Sequence, residues 1–373
     1  MNILHVISGG EEGGSKTHVL NLCRSLKNKD VNAMIVCFID GKLYREAKNM
    51  GLDIILIKQR SRIDFSAIKK VKNIIIENNI ELVHSHGGRA NLICCLLKRS
   101  TNIPFVSTVH SDYKLDYKGN IFKTLVFSNI NKHTLKHFDR LIAISDDFKD
   151  MLVSRGFDSS SIRVVYNGIN FEREYSILNI DEISKKYNIQ INSEDIIISM
   201  IARLHPIKGH RVFFDGCKNI IKNHDNIKIL VAGDGSIKDE LVSYVKEIGI
   251  DKNVFFLGQV DRSIDILYNS YMSVLSSFSE SFPYVLLESA LVKTPVVASD
   301  VGGINKIIKD GATGYLFKKG DSNDLSSKME ILLENRKTRD YIGNNLYEYA
   351  KQNFSLDIMT MKVIDIYKEI ING

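Results

Sequence analysis

Residues 272–277 read Met-Ser-Val-Leu-Ser-Ser, residues 279–290 read Ser-Glu-Ser-Phe-Pro-Tyr-Val-Leu-Leu-Glu-Ser-Ala, and residues 295–303 read Pro-Val-Val-Ala-Ser-Asp-Val-Gly-Gly. The first run is short and apolar, which reads as a buried parallel strand ending near Ser276, and Pro283 stands where a helix takes its first residue. A second buried strand, Pro295 to Ala298, leads to Gly302 and Gly303. Two strands that release their loops on one sheet edge mark the place where open α/β sheets bind ligands. Glu280 precedes the helix and Glu288 lies inside it, roughly 8 Å further along the axis at ~1.5 Å per residue. Between them the amides of Tyr284, Val285 and Leu286 point out of the helix start, an arrangement that attracts phosphate. A ligand with phosphates in its middle and hydroxyls at both ends fits. For the Glu-x7-Glu spacing alone, a surface acid beside a helix acid is the plain alternative.

Outward from this stretch, apolar runs alternate with helical segments from residue 196: Ile196 to Ile201, Ile229 to Ala232, Val254 to Leu257, Val274 to Ser276, Pro295 to Ala298 and Gly314 to Phe317. This alternation predicts a doubly wound parallel sheet. After its first strand come Arg203 and, five residues later, Lys208, across a turn shaped by Pro206 and Gly209. An Arg fork with a Lys point charge can neutralise a diphosphate without a metal, although a surface pair is the ordinary alternative. Gly233 and Gly235 follow the next strand and open a Gly-x-Gly pattern. A nicotinamide site would add a glycine where Lys238 stands and an acid near Gly258, and both are missing, so these glycines and Val260 read as a nucleotide lining.

The first half repeats the alternation with strands Ile3 to Ile7, Ala33 to Ile39, Ile54 to Ile57, Glu81 to Ser85, Phe105 to Val109, Leu141 to Ile144 and Ile162 to Val165. Gly13 and Gly14 open the first helix, and backbone can approach a diphosphate only where Cβ atoms are absent. His110 follows a strand end, where a lone histidine is by default structural. Asn167-Gly168 breaks the pattern, so the boundary falls there: 1–168 and 169–354 are expected to be two Rossmann-like domains facing a cleft. Two helices are expected over Asp324 to Leu333 and Asp340 to Lys351, and the tail from Ser355 to Ile371 is in helical register.

At 373 residues with 44% hydrophobic and 25% charged positions, the chain suits two soluble globular domains. A net charge of +6 is mild, and nothing in it points to nucleic acid. Lys114, Lys118, Lys123, Lys132, His133, Lys136 and His137, interleaved with Tyr117, Phe122, Leu125 and Phe127, read either as solvated charge or as a basic amphipathic surface for anionic lipid. Five cysteines, Cys23, Cys37, Cys94, Cys95 and Cys217, form no Cys-x-x-Cys pair, so neither a disulfide framework nor a zinc site is expected. No run approaches the ~20 apolar residues of a membrane span, and the N-terminus reads as a strand and not a leader. A cytoplasmic protein, at most peripheral to the inner membrane face, is the expectation.

The Glu280 to Glu288 element resembles the Glu-x7-Glu signature of the retaining glycosyltransferases of family 4, built on the two-domain GT-B fold. In that family the first acid holds donor-sugar hydroxyls and the second the nucleotide ribose; Arg203 and Lys208 match its phosphate-binding pair and His110 its strand-end histidine. Ser281 departs from the glycine many members carry. The resemblance implies that Ser281, Phe282, Val285, Leu286 and Asn167 join the glycines in lining the donor, and that the final helix crosses back to the first domain. It implies transfer of a hexose-type sugar from a nucleotide diphosphate, UDP before GDP, to a glycan or lipid-linked acceptor, with no cofactor. No Asp-x-Asp is present, so a metal site is not expected. A sugar-nucleotide epimerase on the same fold and a non-catalytic nucleotide-sugar sensor remain as alternatives.

Overall fold

The computed structural model describes residues 1–11, 13–59, 64–112 and 121–373, with the backbone alone for 121–127. The chain divides into two compact units, Met1–Gly168 together with Leu356–Gly373, and Ile169–Ser355. Strands of the first unit are β1 (Asn2–Ile7), β2 (Asn32–Cys37), β3 (Asp53–Leu56), β4 (Leu82–His86), β5 (Phe105–Val109), β6 (Arg140–Ala143) and β7 (Ile162–Val164). They form one sheet in the order β3-β2-β1-β4-β5-β6-β7, parallel throughout.

Side chains alternate between two covered faces, which is why the strands are apolar at consecutive positions. Leu4, Val6, Val83, Phe105 and Leu141 enter one core, and their neighbours Ile3, Leu82, Val106 and Ile142 enter the other. The helix Leu356–Asn372 covers that second face, seating Met359, Val363, Ile366 and Tyr367 beside Leu22 and Leu26 of the helix Gly14–Lys27. Each such side chain contributes roughly 1.5–3 kcal/mol when buried.

In the second unit β8 (Ile196–Ile201), β9 (Ile227–Ala232), β10 (Val254–Gly258), β11 (Met272–Leu275), β12 (Val296–Ser299) and β13 (Tyr315–Phe317) lie in the order β10-β9-β8-β11-β12-β13. Ile198, Met200, Ile229, Val231, Val274 and Val297 face the helices His210–Ile221 and Ser322–Glu334, while Ile197, Leu230 and Ile266 pack on the opposite side. Strand order reverses between β1 and β4 in one unit and between β8 and β11 in the other. Such switch points open a crevice at the carboxyl ends of the strands.

Several boundaries differ from the sequence expectation. β4 runs one residue past Ser85, to His86. Pro283 is not the first helical residue: with ψ 129 it is still extended and flanks the helix Tyr284–Leu291. The later helices are longer, Ser322–Glu334 and Arg336–Phe354. Their starts are fixed by caps, Asp321 accepting from the Asn323 and Asp324 amides and Asn335 from the Thr338 amide. All five cysteines are free and buried. Among the described residues no helix is long and apolar enough to cross a membrane. Of the basic stretch, residues 113–120 and the side chains of 121–127 lie outside the described residues.

Candidate active site

At the switch point of the second unit, the chain leaving β8 turns through Arg203 and a short 3-10 segment, Pro206–Lys208, before the helix His210–Ile221. The chain leaving β11 passes alongside, and the Phe278 amide donates to the Ile207 carbonyl at 2.7 Å. This adjacency brings Lys208 to Glu280: Lys208 Nζ donates to Glu280 Oε1 at 2.5 Å, and Ser277 Oγ donates to the same oxygen at 2.6 Å. The Glu280 side chain is only 8% exposed, so its charge is matched by a cation and a hydroxyl in a partly dry setting. Arg203 is solvent-exposed and forms no ion pair with Glu280 among the described residues.

Glu280 is also fixed from the next loop. A Cβ on Gly302 would stand 1.9 Å from the Glu280 carbonyl oxygen, and one on Gly303 would stand 1.9 Å from that of Ser281. Only glycine lets the two loops touch in this way. Gly233 and Gly235 have a similar constraint, their Cβ positions falling 2.0 Å from the Ala202 carbonyl oxygen and 2.1 Å from that of Leu204. Those two glycines therefore shape the turn that presents Arg203, whatever ligand lies beyond it.

Glu288 has a separate environment. It accepts from Ser263 Oγ at 2.7 Å, and Ser263 begins the helix that follows the Val260 loop. Burial lifts the Glu288 carboxyl above its usual pKa, with the Ser263 bond opposing. No side chain caps the helix Tyr284–Leu291, so its first amides remain a weak positive end. Leu286 is already engaged, its amide donating to the Pro283 carbonyl at 3.3 Å. The side chains of Phe282 and Leu286 are buried, Phe282 against Phe354 with ring centroids 5.0 Å apart. Ser281, Val285 and Val260 are half-buried.

In the first unit, five histidines converge behind the β1/β4 switch point. His5 comes from β1, His84 and His86 from β4, His110 from the end of β5 and His18 from the helix Gly14–Lys27. His5 Nδ1 pairs with His86 Nε2 at 3.1 Å and His86 Nδ1 with His110 Nε2 at 3.1 Å. His84 pairs with Tyr367 Oη at 2.5 Å and with Thr108 Oγ1 at 2.7 Å, and His18 Nδ1 donates to Asn167 Oδ1 at 3.0 Å. Burial pushes His5 down to about 3 and His18 to about 4, and drives His84, His86 and His110 well below 6.5, with neighbouring imidazoles adding to the effect. All five rings are therefore neutral at physiological pH. His86, His110, Glu11, Ser111 and Asn131 border a cavity of about 200 Å³. Gly13 precedes the helix at φ 80 and Gly14 is its first residue.

Known proteins share both halves. Residues 12–173 match the Glycosyltransferase Family 4 description and residues 180–349 match Glycosyl transferases group 1. The chain belongs to the family 4 glycosyltransferases, on the GT-B fold. An uncharacterized glycosyltransferase of Methanocaldococcus jannaschii is 29% identical, spanning 96% of this chain and 95% of that one. The UDP-Gal:alpha-D-GlcNAc-diphosphoundecaprenol alpha-1,3-galactosyltransferase of Escherichia coli is 24% identical over 83% and 82% respectively. Among solved structures, Anabaena HepE in complex with UDP and glucose superposes with a TM-score of 0.84 at 20% identity, covering 98% of this chain and 99% of that one.

Sequence reasoning on this glycosyltransferase missed His5, His18, His84, His86, Glu11, Ser263 and Ser277. The available signal was His84-Ser85-His86, two imidazoles at period two and so on one sheet face, followed by Gly87-Gly88. Glu11 folds back to accept from the Gly9 amide at 2.6 Å, and burial raises its carboxyl above the usual range against several backbone bonds.

Proposed function

We propose that the protein is a retaining, metal-independent transferase that moves a hexose-type sugar from a nucleotide diphosphate, UDP-linked before GDP-linked, to a glycan or lipid-linked acceptor. The observation that carries this is the Lys208–Glu280 pair at the β8/β11 switch point, a cation beside an acid that can accept from sugar hydroxyls. In this reading Lys208, Arg203 and the amides of Tyr284 and Val285 receive the diphosphate, Glu280 orients the sugar, and Glu288 takes the ribose hydroxyls. The bond from the anomeric carbon to the phosphate oxygen breaks with its electron pair leaving on the nucleoside diphosphate. An acceptor hydroxyl then forms the new bond on the same face, and its proton passes to the departing phosphate oxygen. Cationic groups stabilise the charge that develops there, and His110 contacts the sugar.

The Escherichia coli relative, whose named acceptor is diphosphoundecaprenol-linked, supports a lipid-linked acceptor. We accordingly place the protein in the cytoplasm at the inner membrane face, in cell-surface polysaccharide or glycolipid synthesis. A panel of UDP-, GDP- and ADP-sugars, scored for nucleotide release with and without lipid-linked and glycan acceptors, tests this. Acceptor-dependent UDP release, unchanged by a chelator and giving product of retained anomeric configuration, is expected. Turnover of donor alone to an epimeric sugar, or an inverted product, would refute it.

A further inference from the structure

His110 does not stand alone in its cavity; it ends a chain of imidazoles. The His5 and His86 rings are nearly coplanar, 11° apart, and both links of the chain show 5.4 Å between centroids with 3.1 Å between facing nitrogens. Rings so spaced meet edge to edge, so each link holds one shared hydrogen. Every ring is neutral and carries one N–H, which leaves two ways to thread the hydrogens. If they run from His110 inward, His5 must carry its hydrogen on Nε2, which is buried without a partner. If they run outward, His5 Nδ1–H donates to His86 Nε2 and His86 Nδ1–H donates to His110 Nε2. The buried His5 Nε2 is then only a bare acceptor.

Orphaned buried N–H groups are the rarer of the two defects in folded proteins. The same pocket already holds a bare imidazole nitrogen: His18 must carry its hydrogen on Nδ1, because Asn167 Oδ1 accepts it, and His18 Nε2 is buried without a partner. We propose that His5 and His86 are positioning residues that lock His110 as its Nδ1–H tautomer, so that His110 meets a substrate oxygen as a hydrogen-bond donor and not as a base. This rests on the glycosyltransferase reading for the identity of the oxygen, a sugar or diphosphate oxygen, but not for the tautomer. Nitrogens of His18, His86 and His110 lie within 4.8 Å of one another, a spacing a metal ion could use. The facing nitrogens of His86 and His110 already share a hydrogen, so the lone pairs do not converge on an empty centre.

The tautomer is read without any substrate, from long-range nitrogen–proton correlation spectra of the full chain labelled with 15N-histidine, the His110 signals being assigned by their loss in His110→Gln. Protonated Nδ1 and bare Nε2 on His110 are expected, and a protonated Nε2 would overturn the proposal even if the protein proves to be a glycosyltransferase. In kinetics, His86→Leu should lower kcat roughly 10- to 100-fold, as loss of an orienting partner does for ligating histidines, with donor KM little changed. His86→Asn, whose amide nitrogen can replace the imidazole Nδ1, should recover most of that loss. Equal loss in both folded variants would overturn the positioning role, and so would stoichiometric metal bound by the untagged protein. Absence of all transfer activity would sink the proposed function while leaving the spectra to decide the tautomer.

Discussion

Substituting Gly302 by alanine should damage the candidate site from behind, with no change to any residue that meets a ligand. Gly302 has φ 51, and its added Cβ would lie 1.9 Å from the Glu280 carbonyl oxygen, whereas real contacts stay beyond 3.0 Å. The Glu280 backbone must therefore retreat by about 1 Å, which pulls its carboxylate out of the 2.5 Å and 2.6 Å bonds to Lys208 and Ser277. A displacement of ~1 Å in a positioning group is enough for a loss on the order of 100-fold, or about 2.7 kcal/mol of transition-state stabilisation. The left-handed backbone adds about 1–2 kcal/mol of folding strain. Gly311→Ala is the matched control, since Gly311 has φ 73 but nothing within 4 Å of its Cβ. Both variants should melt a few degrees lower, and only Gly302→Ala should lose kcat/KM for nucleotide release from the donor found in the panel. Activity within threefold of the parent in a folded Gly302→Ala would show that the Gly302 contact does not set the position of Glu280.

Three further outcomes are expected. Lys208→Met should weaken UDP binding by calorimetry at least tenfold, because a charge-assisted contact to phosphate contributes about 1.5–3 kcal/mol; unchanged affinity would remove Lys208 from the diphosphate site. Tyr367→Phe leaves His84 Nδ1 without its 2.5 Å partner and should cost about 1–3 kcal/mol in urea unfolding, with no loss if the ring nitrogen finds a new partner. His5 and His18, with pKa values near 3 and 4, and His84 and His86, well below 6.5, bind fewer protons folded than unfolded. The stability they contribute is complete above pH 6.5 and is lost as pH falls toward 4, at up to about 1.4 kcal/mol per pH unit for each ring. The raised carboxyls of Glu11 and Glu288 act in the opposite sense but are fewer, so a urea midpoint that stays flat from pH 6.5 to 5 would contradict the neutral cluster.

The thirteen strands among the described residues were legible because parallel strands covered on both faces must be apolar at consecutive positions, and Ile3, Leu4, Val6 and Ile7 show this without any tertiary knowledge. The limits of elements were less legible. Asp321 and Asn335 fix helix starts through single side-chain caps, and Pro283 takes an extended ψ that its own ring does not dictate. Ending β4 at Ser85 concealed His86, and with it the imidazole chain. Hydrogen bonds spanning 81 residues from His5 to His86 and 283 residues from His84 to Tyr367 leave no local pattern to read.

Glycines after parallel strands carry two different messages, and the structure separates them. At Gly233, Gly235, Gly302 and Gly303 the space a Cβ would need is filled by the protein's own carbonyl oxygens, so these glycines are required by loops that stack on each other at the sheet edge. Their service to a ligand is indirect: they fix the paths that carry Arg203 and Glu280. Gly13 is of the other kind, with φ 80 and nothing within 4 Å of its Cβ position. Gly13 stands at the start of the helix Gly14–Lys27, which has no side-chain cap, and a missing Cβ there suits a place where backbone must come close to an anion. It follows that Gly13→Ala should disturb ligand binding with little repacking, whereas alanine at Gly302 or Gly303 must move a neighbouring loop before any ligand arrives.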